Sequence, residues 1–119
     1  MFMKRILVVD DNILMRKLII NLFSDHNVNL DEASDGSEGL MKMSVNHYDL
    51  VITDLIMPGM EGIEMILEAK RNFPGVKIIA ISGGEPFYLY LAKKLGVQEI
   101  FTKPLEKNKF MSVVSNALA

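Results

Sequence analysis

At 119 residues, half of them hydrophobic, the chain is long enough to bury one core and has no room for a second. Thirteen basic and 15 acidic residues leave a net charge of −2 with no basic block, which argues against direct nucleic-acid binding. The absence of cysteine excludes disulfides, thiol catalysis and Cys-ligated zinc. No apolar run approaches a signal-peptide core or the ~20 residues of a membrane span, so a cytoplasmic domain over residues 1–119 is the expectation.

Residues 5–9 (RILVV) read as a first strand. Asn12 can cap a helix over 13–25 with Leu14, Leu18, Leu22 and Phe23 on its buried stripe. Residues 28–33 form a more polar strand, suited to an edge. Asp35 and Glu38 have capping-box spacing before a helix carrying Leu40, Met41 and Met43. Residues 49–54 make a third strand, and MPGMEG at 57–62 makes a loop leading into a helix that ends near Asn72. Pro74-Gly75 turns the chain into a fourth strand over 77–82.

After Gly83 and Gly84, Pro86 suits a first helical position and Gly96 a C-terminal cap, bracketing a helix to Leu95. Phe87, Leu91 and Leu95 share one predicted core face there, as do Tyr88 and Leu95, which turns Leu89, Tyr90 and Lys93 outward. A fifth strand covers 98–103. A last helix over 106–118 is predicted to bury Phe110, Val113, Val114 and Ala117.

Five alternations of strand and helix predict an α/β fold with a parallel sheet wound on both faces. Ligands of such sheets lie beyond the carboxyl ends of the strands. There the sequence places Asp10 with Asp11, then Asp54, Ser82 and Lys103. Two carboxylates 4 Å apart repel by roughly 4 kcal/mol at an effective dielectric of 20, unless a proton or a cation intervenes. Oxygen-only ligands on an open edge favour Mg2+. One Mg2+ and Lys103 balance three carboxylates and leave a place for a phosphoryl group, with the central Asp54 as acceptor and the Ser82 hydroxyl as a further donor.

Each residue alone has an ordinary reading: helix caps for Asp10 and Asp11, turn chemistry for Asp54, a loop residue for Ser82, a solvated Lys103. Four separate strand ends together favour the chemical reading. His26 and His47 have no partner pattern and read as surface histidines. The nine methionines read as core filling. No GxxxxGK[ST] or GxGxxG loop supports nucleotide binding.

VVDDN at 8–12, VITDLIMPGMEG at 51–62, IAISGG at 79–84 and FTKPL at 101–105 carry a resemblance. Over essentially its whole length the chain is similar to the receiver domain of bacterial two-component response regulators, of the stand-alone chemotaxis or phosphorelay type. The resemblance implies a flavodoxin-like (βα)5 fold with strand order 2-1-3-4-5. It implies Asp54, Ser82 and Lys103 as the residues of phosphoryl transfer. Asp54 would accept phosphate from a histidine kinase or phosphohistidine domain, Lys103 would pair with it, and Ser82 would report its arrival. Asp11, Asp54 and the backbone carbonyl of Ile56 would ligate Mg2+, with Asp10 acting through a metal-bound water. The Lys103–Pro104 peptide would be cis.

A downstream protein would dock on the face of the fourth helix, fifth strand and fifth helix. Met15, Pro104 and Leu105 would help seat the phosphodonor. The chain would assist only its own phosphoryl transfer rather than act as an enzyme, and would be a monomer when unphosphorylated.

The chain departs from the family at Ile100, where many receivers carry Tyr or Phe; Phe101 falls one residue later, on the other side of the strand. Ile56 and Gly84, which would flank an attacking water, offer no acid, amide or base. Three rival functions remain: a phosphorylation-independent interaction module, a Mg2+ phosphohydrolase with an aspartate nucleophile, and flavin mononucleotide binding. The hydrolase usually needs a second acid where Ile56 stands, and flavin binding lacks a Ser/Thr-rich loop after the first strand.

Overall fold

The computed structural model describes residues 3–57 and 61–119. Pro58, Gly59 and Met60 of the predicted 57–62 loop lie outside the described residues. The chain runs β1 (Lys4–Val9), α1 (Ile13–Asn21), β2 (Val28–Ala33), α2 (Gly36–Val45), β3 (Leu50–Asp54), α3 (Gly62–Asn72), β4 (Ile78–Ser82), α4 (Pro86–Lys94), β5 (Glu99–Thr102) and α5 (Lys107–Leu118). The strands are all parallel, in the order β2-β1-β3-β4-β5. Predicted order and fold class are both found, and the polar strand β2 is indeed an edge.

Strand side chains alternate between two cores. Ile6, Val8, Leu50, Ile52, Ile79, Ile81 and Phe101 pack with Ile19, Phe23, Phe110, Val114 and Ala117, so α1 and α5 cover that face. Leu7, Val9, Val51, Ile78 and Ala80 pack with Met43, Met65, Ile66, Ala69 and Ala92, so α2, α3 and α4 cover the other. Burial on both faces is why these strands read as unbroken apolar runs. No described helix is long and apolar enough to cross a membrane.

The helix starts follow the predicted chemistry. Asn12 Oδ1 accepts the N–H groups of Leu14 and Met15, at 2.9 and 3.2 Å. Asp35 Oδ1 accepts Glu38 N–H at 2.8 Å, while Glu38 reaches back to Ser34 N–H rather than to its cap residue. Pro86 opens α4, and Gly96 takes φ +78° after it.

Three helix faces differ from expectation. α1 stops at Asn21, and tight turns closed by bonds such as Phe23 N–H to Ile20 O carry the chain on. Its Leu14 and Leu18 are exposed; the buried stripe is Ile19 and Phe23, with Met15 and Leu22 packed beside them. Six of the nine α1 residues are apolar, so spacing alone admits two registers. Met41 of α2 is exposed. In α4, Phe87 is 65 % exposed, whereas Ala92 is fully buried with Tyr88 and Leu95 around it. A small residue lets the helix approach the sheet closely and turns Phe87 outward.

Candidate functional site: an acidic cluster with a lysine

Parallel pairing brings the strand ends into one row. Asp10 N–H donates to Ala33 O at 3.1 Å just beyond β1, Asp54 ends β3, Ser82 ends β4, and Lys103 N–H donates to Ser82 O at 2.9 Å just beyond β5. Asp10, Asp54 and Ser82 are buried, while Asp11 is exposed. One carboxylate oxygen from each of Asp10, Asp11 and Asp54 lies within 4.8 Å of the others.

Asp10 Oδ1 accepts Asn12 N–H at 2.9 Å, but its buried Oδ2 has no hydrogen-bond partner among the described residues. Burial pushes the Asp10 carboxyl up to about 6; the Asn12 bond opposes this, and the charges of Asp54 and Asp11 add to it. A buried carboxylate oxygen without a hydrogen-bond partner, on one of three clustered acids, fits a site that can hold a divalent cation. The acidic pocket suits Mg2+.

Asp54 is held from two sides. Its Oδ1 accepts Ile56 N–H at 3.2 Å, and its Oδ2 accepts a bond from Lys103 Nζ at 3.0 Å. Burial alone would lower the Lys103 pKa, but the Asp54 bond and the charges of Asp54, Asp10 and Asp11 outweigh it and hold the ammonium above its usual value. The Lys103–Pro104 peptide is cis, as the family pattern implied.

The predicted site residues are thus not all in one contact set. Asp10, Asp11, Asp54 and Lys103 come together. Ser82 sits at the neighbouring strand end with its hydroxyl donated to Glu85 Oε1 at 3.2 Å, while Gly84 N–H donates to Ser82 Oγ at 3.0 Å. Ile100 packs against the α2–α4 core, and Phe101 faces the opposite one, edge-on to Phe110 at 5.2 Å between ring centroids. Leu105 and Met15 are half-buried against the α1–α5 core. His47 is exposed and 3.6 Å from Asp49, consistent with a surface histidine.

Sequence reasoning missed three supports. Arg16 donates through Nη1 to Asp10 O at 2.7 Å and pairs through Nε with Glu32 at 3.0 Å, so α1 grips both β2 and the acidic turn. The i+4 step from Asn12 to Arg16 was the available signal. Gly62 lies so close to the acceptor strand that a Cβ there would stand 1.9 Å from Asp54 O. Glu85, between Gly84 and Pro86, is the third, through its bond to the Ser82 hydroxyl. A separate groove at the other end of the strands is lined by Met43, Val45, Tyr48, Phe73 and Val76 among others, and no carboxylate lines it.

A family model described as "Response regulator receiver domain" matches residues 6–115. The chain is 33% identical over 116 residues to a chemotaxis protein CheY of Halobacterium salinarum, covering 97% of each chain. Among solved structures it resembles the response regulator protein TrrA of Thermotoga maritima in complex with Mg(2+)-BeF, with TM-score 0.89, 32% identity, and coverage of 98% of this chain and 100% of that one. It also resembles the CheX-CheY-BeF3-Mg+2 complex from Borrelia burgdorferi, with TM-score 0.89, 26% identity, and coverage of 98% and 90%. Family match, strand order and acidic cluster agree, and the chain belongs to the response regulator receiver domain family of two-component systems.

Proposed function

We propose that residues 1–119 form one receiver unit that takes a phosphoryl group on Asp54 in a Mg2+-dependent reaction and thereby changes its protein contacts. The observation that carries this reading is the pairing of buried Asp54 with Lys103 Nζ at 3.0 Å inside a cluster of three acids. Asp11, Asp54 and the Ile56 carbonyl would hold the metal, with Asp10 beside it. When bound, Mg2+ supplies positive charge to the acids and to a phosphoryl oxygen.

The remaining chemistry belongs to the chain's own groups. An Asp54 carboxylate oxygen forms the new O–P bond as the donor's N–P bond breaks, and the electron pair returns to the donor imidazole. The Lys103 ammonium, positively charged at neutral pH, neutralises a second phosphoryl oxygen. The Ser82 hydroxyl bonds to a third once it turns from Glu85. Ile56 and Gly84 bring no base to activate water.

The donor is a histidine kinase or phosphohistidine domain, with Met15, Pro104 and Leu105 as part of its seat. The exposed Phe87 and Tyr90 of α4 suit a downstream protein at the α4–β5–α5 face. The protein acts as a cytoplasmic monomer before phosphorylation, without nucleic acid and without turnover of other substrates.

The test is intact-mass measurement after incubation with Mg2+ and acetyl phosphate. One added phosphoryl group is expected, and it disappears in Asp54→Asn and on chelating the metal. An adduct that survives Asp54→Asn, or none with acetyl phosphate or any kinase, would refute the reading.

A further inference from the structure

The Ser82 hydroxyl is already spoken for. A serine hydroxyl has one proton to donate. Here that proton goes to Glu85 Oε1 at 3.2 Å, and Ser82 Oγ accepts from Gly84 N–H at 3.0 Å. Ser82 is 1 % exposed, so no bulk water competes for that proton. To donate to a phosphoryl oxygen on Asp54, Ser82 must first release Glu85.

Glu85 is in an unusual posture for its place in the chain. It is the N-cap of α4, at φ −63° and ψ 116°, yet its side chain makes no capping bond. Glu106 occupies the same position before α5, at φ −86° and ψ 112°, and there the carboxylate accepts the N–H groups of Asn108 and Lys109. Residue type and backbone match, so the difference lies in what else is within reach. The carboxylate of Glu85 turns back to Ser82, and the lack of a side chain at Gly83 makes room for it: a Cβ at Gly83 would stand 3.1 Å from Glu85 Oε2.

We infer that Glu85 is a built-in competitor for the Ser82 hydroxyl, a positioning residue that restrains the phosphorylated conformation by holding Ser82 away from Asp54. The inference rests on the Asp54 phosphorylation reading above. Its sign follows from charge. A carboxylate makes a stronger hydrogen bond than an amide does, and it repels an arriving phosphoryl dianion. Both effects favour the unphosphorylated arrangement, so Glu85 biases a two-state equilibrium that phosphorylation must overcome.

The test titrates the full chain with beryllofluoride in saturating Mg2+, followed by NMR of the backbone amides. Wild type is compared with Glu85→Gln, Glu85→Ala, Ser82→Ala and the double variant Ser82→Ala/Glu85→Gln. Losing the charged acceptor is expected to tighten beryllofluoride binding about fivefold in both Glu85 variants, equivalent to about 1 kcal/mol at 1.4 kcal/mol per tenfold. In the Ser82→Ala background the same change should gain clearly less, because only the charge repulsion is relieved and no hydroxyl remains to be released.

Equal affinity in wild type and both Glu85 variants would overturn the inference. So would an equal gain with and without Ser82, which would mean charge repulsion alone. If no form binds beryllofluoride and wild type gains no phosphoryl mass, the Asp54 reading fails instead. The Gly84 amide resonance then judges the contact by itself, since identical shifts in ligand-free wild type and Glu85→Ala would refute it.

Discussion

Replacing Asp10 by Asn should stabilise the metal-free protein, and should do so only above a definite pH. Asp10 is 1 % exposed, its Oδ2 has no partner among the described residues, and burial pushes its carboxyl up to about 6 from an ordinary 3.8. A folded pKa above the unfolded one means that the native state holds a proton the unfolded chain has released. Stability from this group is therefore full below about pH 4 and is lost as pH rises through about 6. The gap of about two pH units corresponds to about 3 kcal/mol at 1.36 kcal/mol per unit, fully felt by pH 8. Asn keeps the oxygen that accepts Asn12 N–H and carries no charge at any pH.

The variant should therefore match wild type near pH 4 and exceed it by up to about 3 kcal/mol at pH 8, a rise in Tm on the order of 10 °C. Urea and thermal unfolding in chelator at the two pH values make the measurement. Adding Mg2+ at pH 8 should narrow the gap, because a cation that binds the folded acids stabilises wild type more than the variant. A difference between the two proteins that is the same at pH 4 and pH 8 would refute the account of Asp10 as a carboxylate strained by burial.

Two supports of the site can be tested in the same way. Gly62→Ala puts a Cβ against backbone that no side-chain rotation can relieve, so urea unfolding should show a loss of at least about 3 kcal/mol; a loss under about 1 kcal/mol would contradict the close approach of α3 to Asp54. Arg16→Ala removes bonds to Asp10 O and Glu32, for an expected loss of about 2 kcal/mol by the same measurement. Arg16→Lys should recover little of it, since one ammonium cannot reproduce a guanidinium fork that reaches both partners.

What the sequence made legible follows from periodicity and from chemistry at strand ends. The strands β1, β3 and β4 are buried on both faces and so are unmistakable apolar runs, and each ends on or just before a polar residue that the sheet then aligns. Helix faces were harder. In α1 the spacing 14-18-22 competes with 15-19-22-23, and only the position of β1 and β3 beneath the helix selects the second. In α4 the large Phe87 drew attention from Ala92, whose small size is what lets the helix settle on β4 and β5. Glu85 was not legible because its meaning depends on which way a carboxylate turns. The choice between capping α4 and meeting Ser82 is made in three dimensions.

Ile100 and Phe101 are neighbours in sequence yet serve opposite cores, the first packed under the α2–α4 layer and the second edge-on to Phe110. β5 is four residues long, so these two are its middle. Rotating the strand about its own axis would pull both side chains out of close-packed surroundings at once, which makes β5 a keyed shaft rather than a free spindle. Any rearrangement that starts at the strand ends has to travel through the β4–α4 connection, where Gly83 and Gly84 offer the least resistance, with β5 as the fixed reference against which α4 shifts.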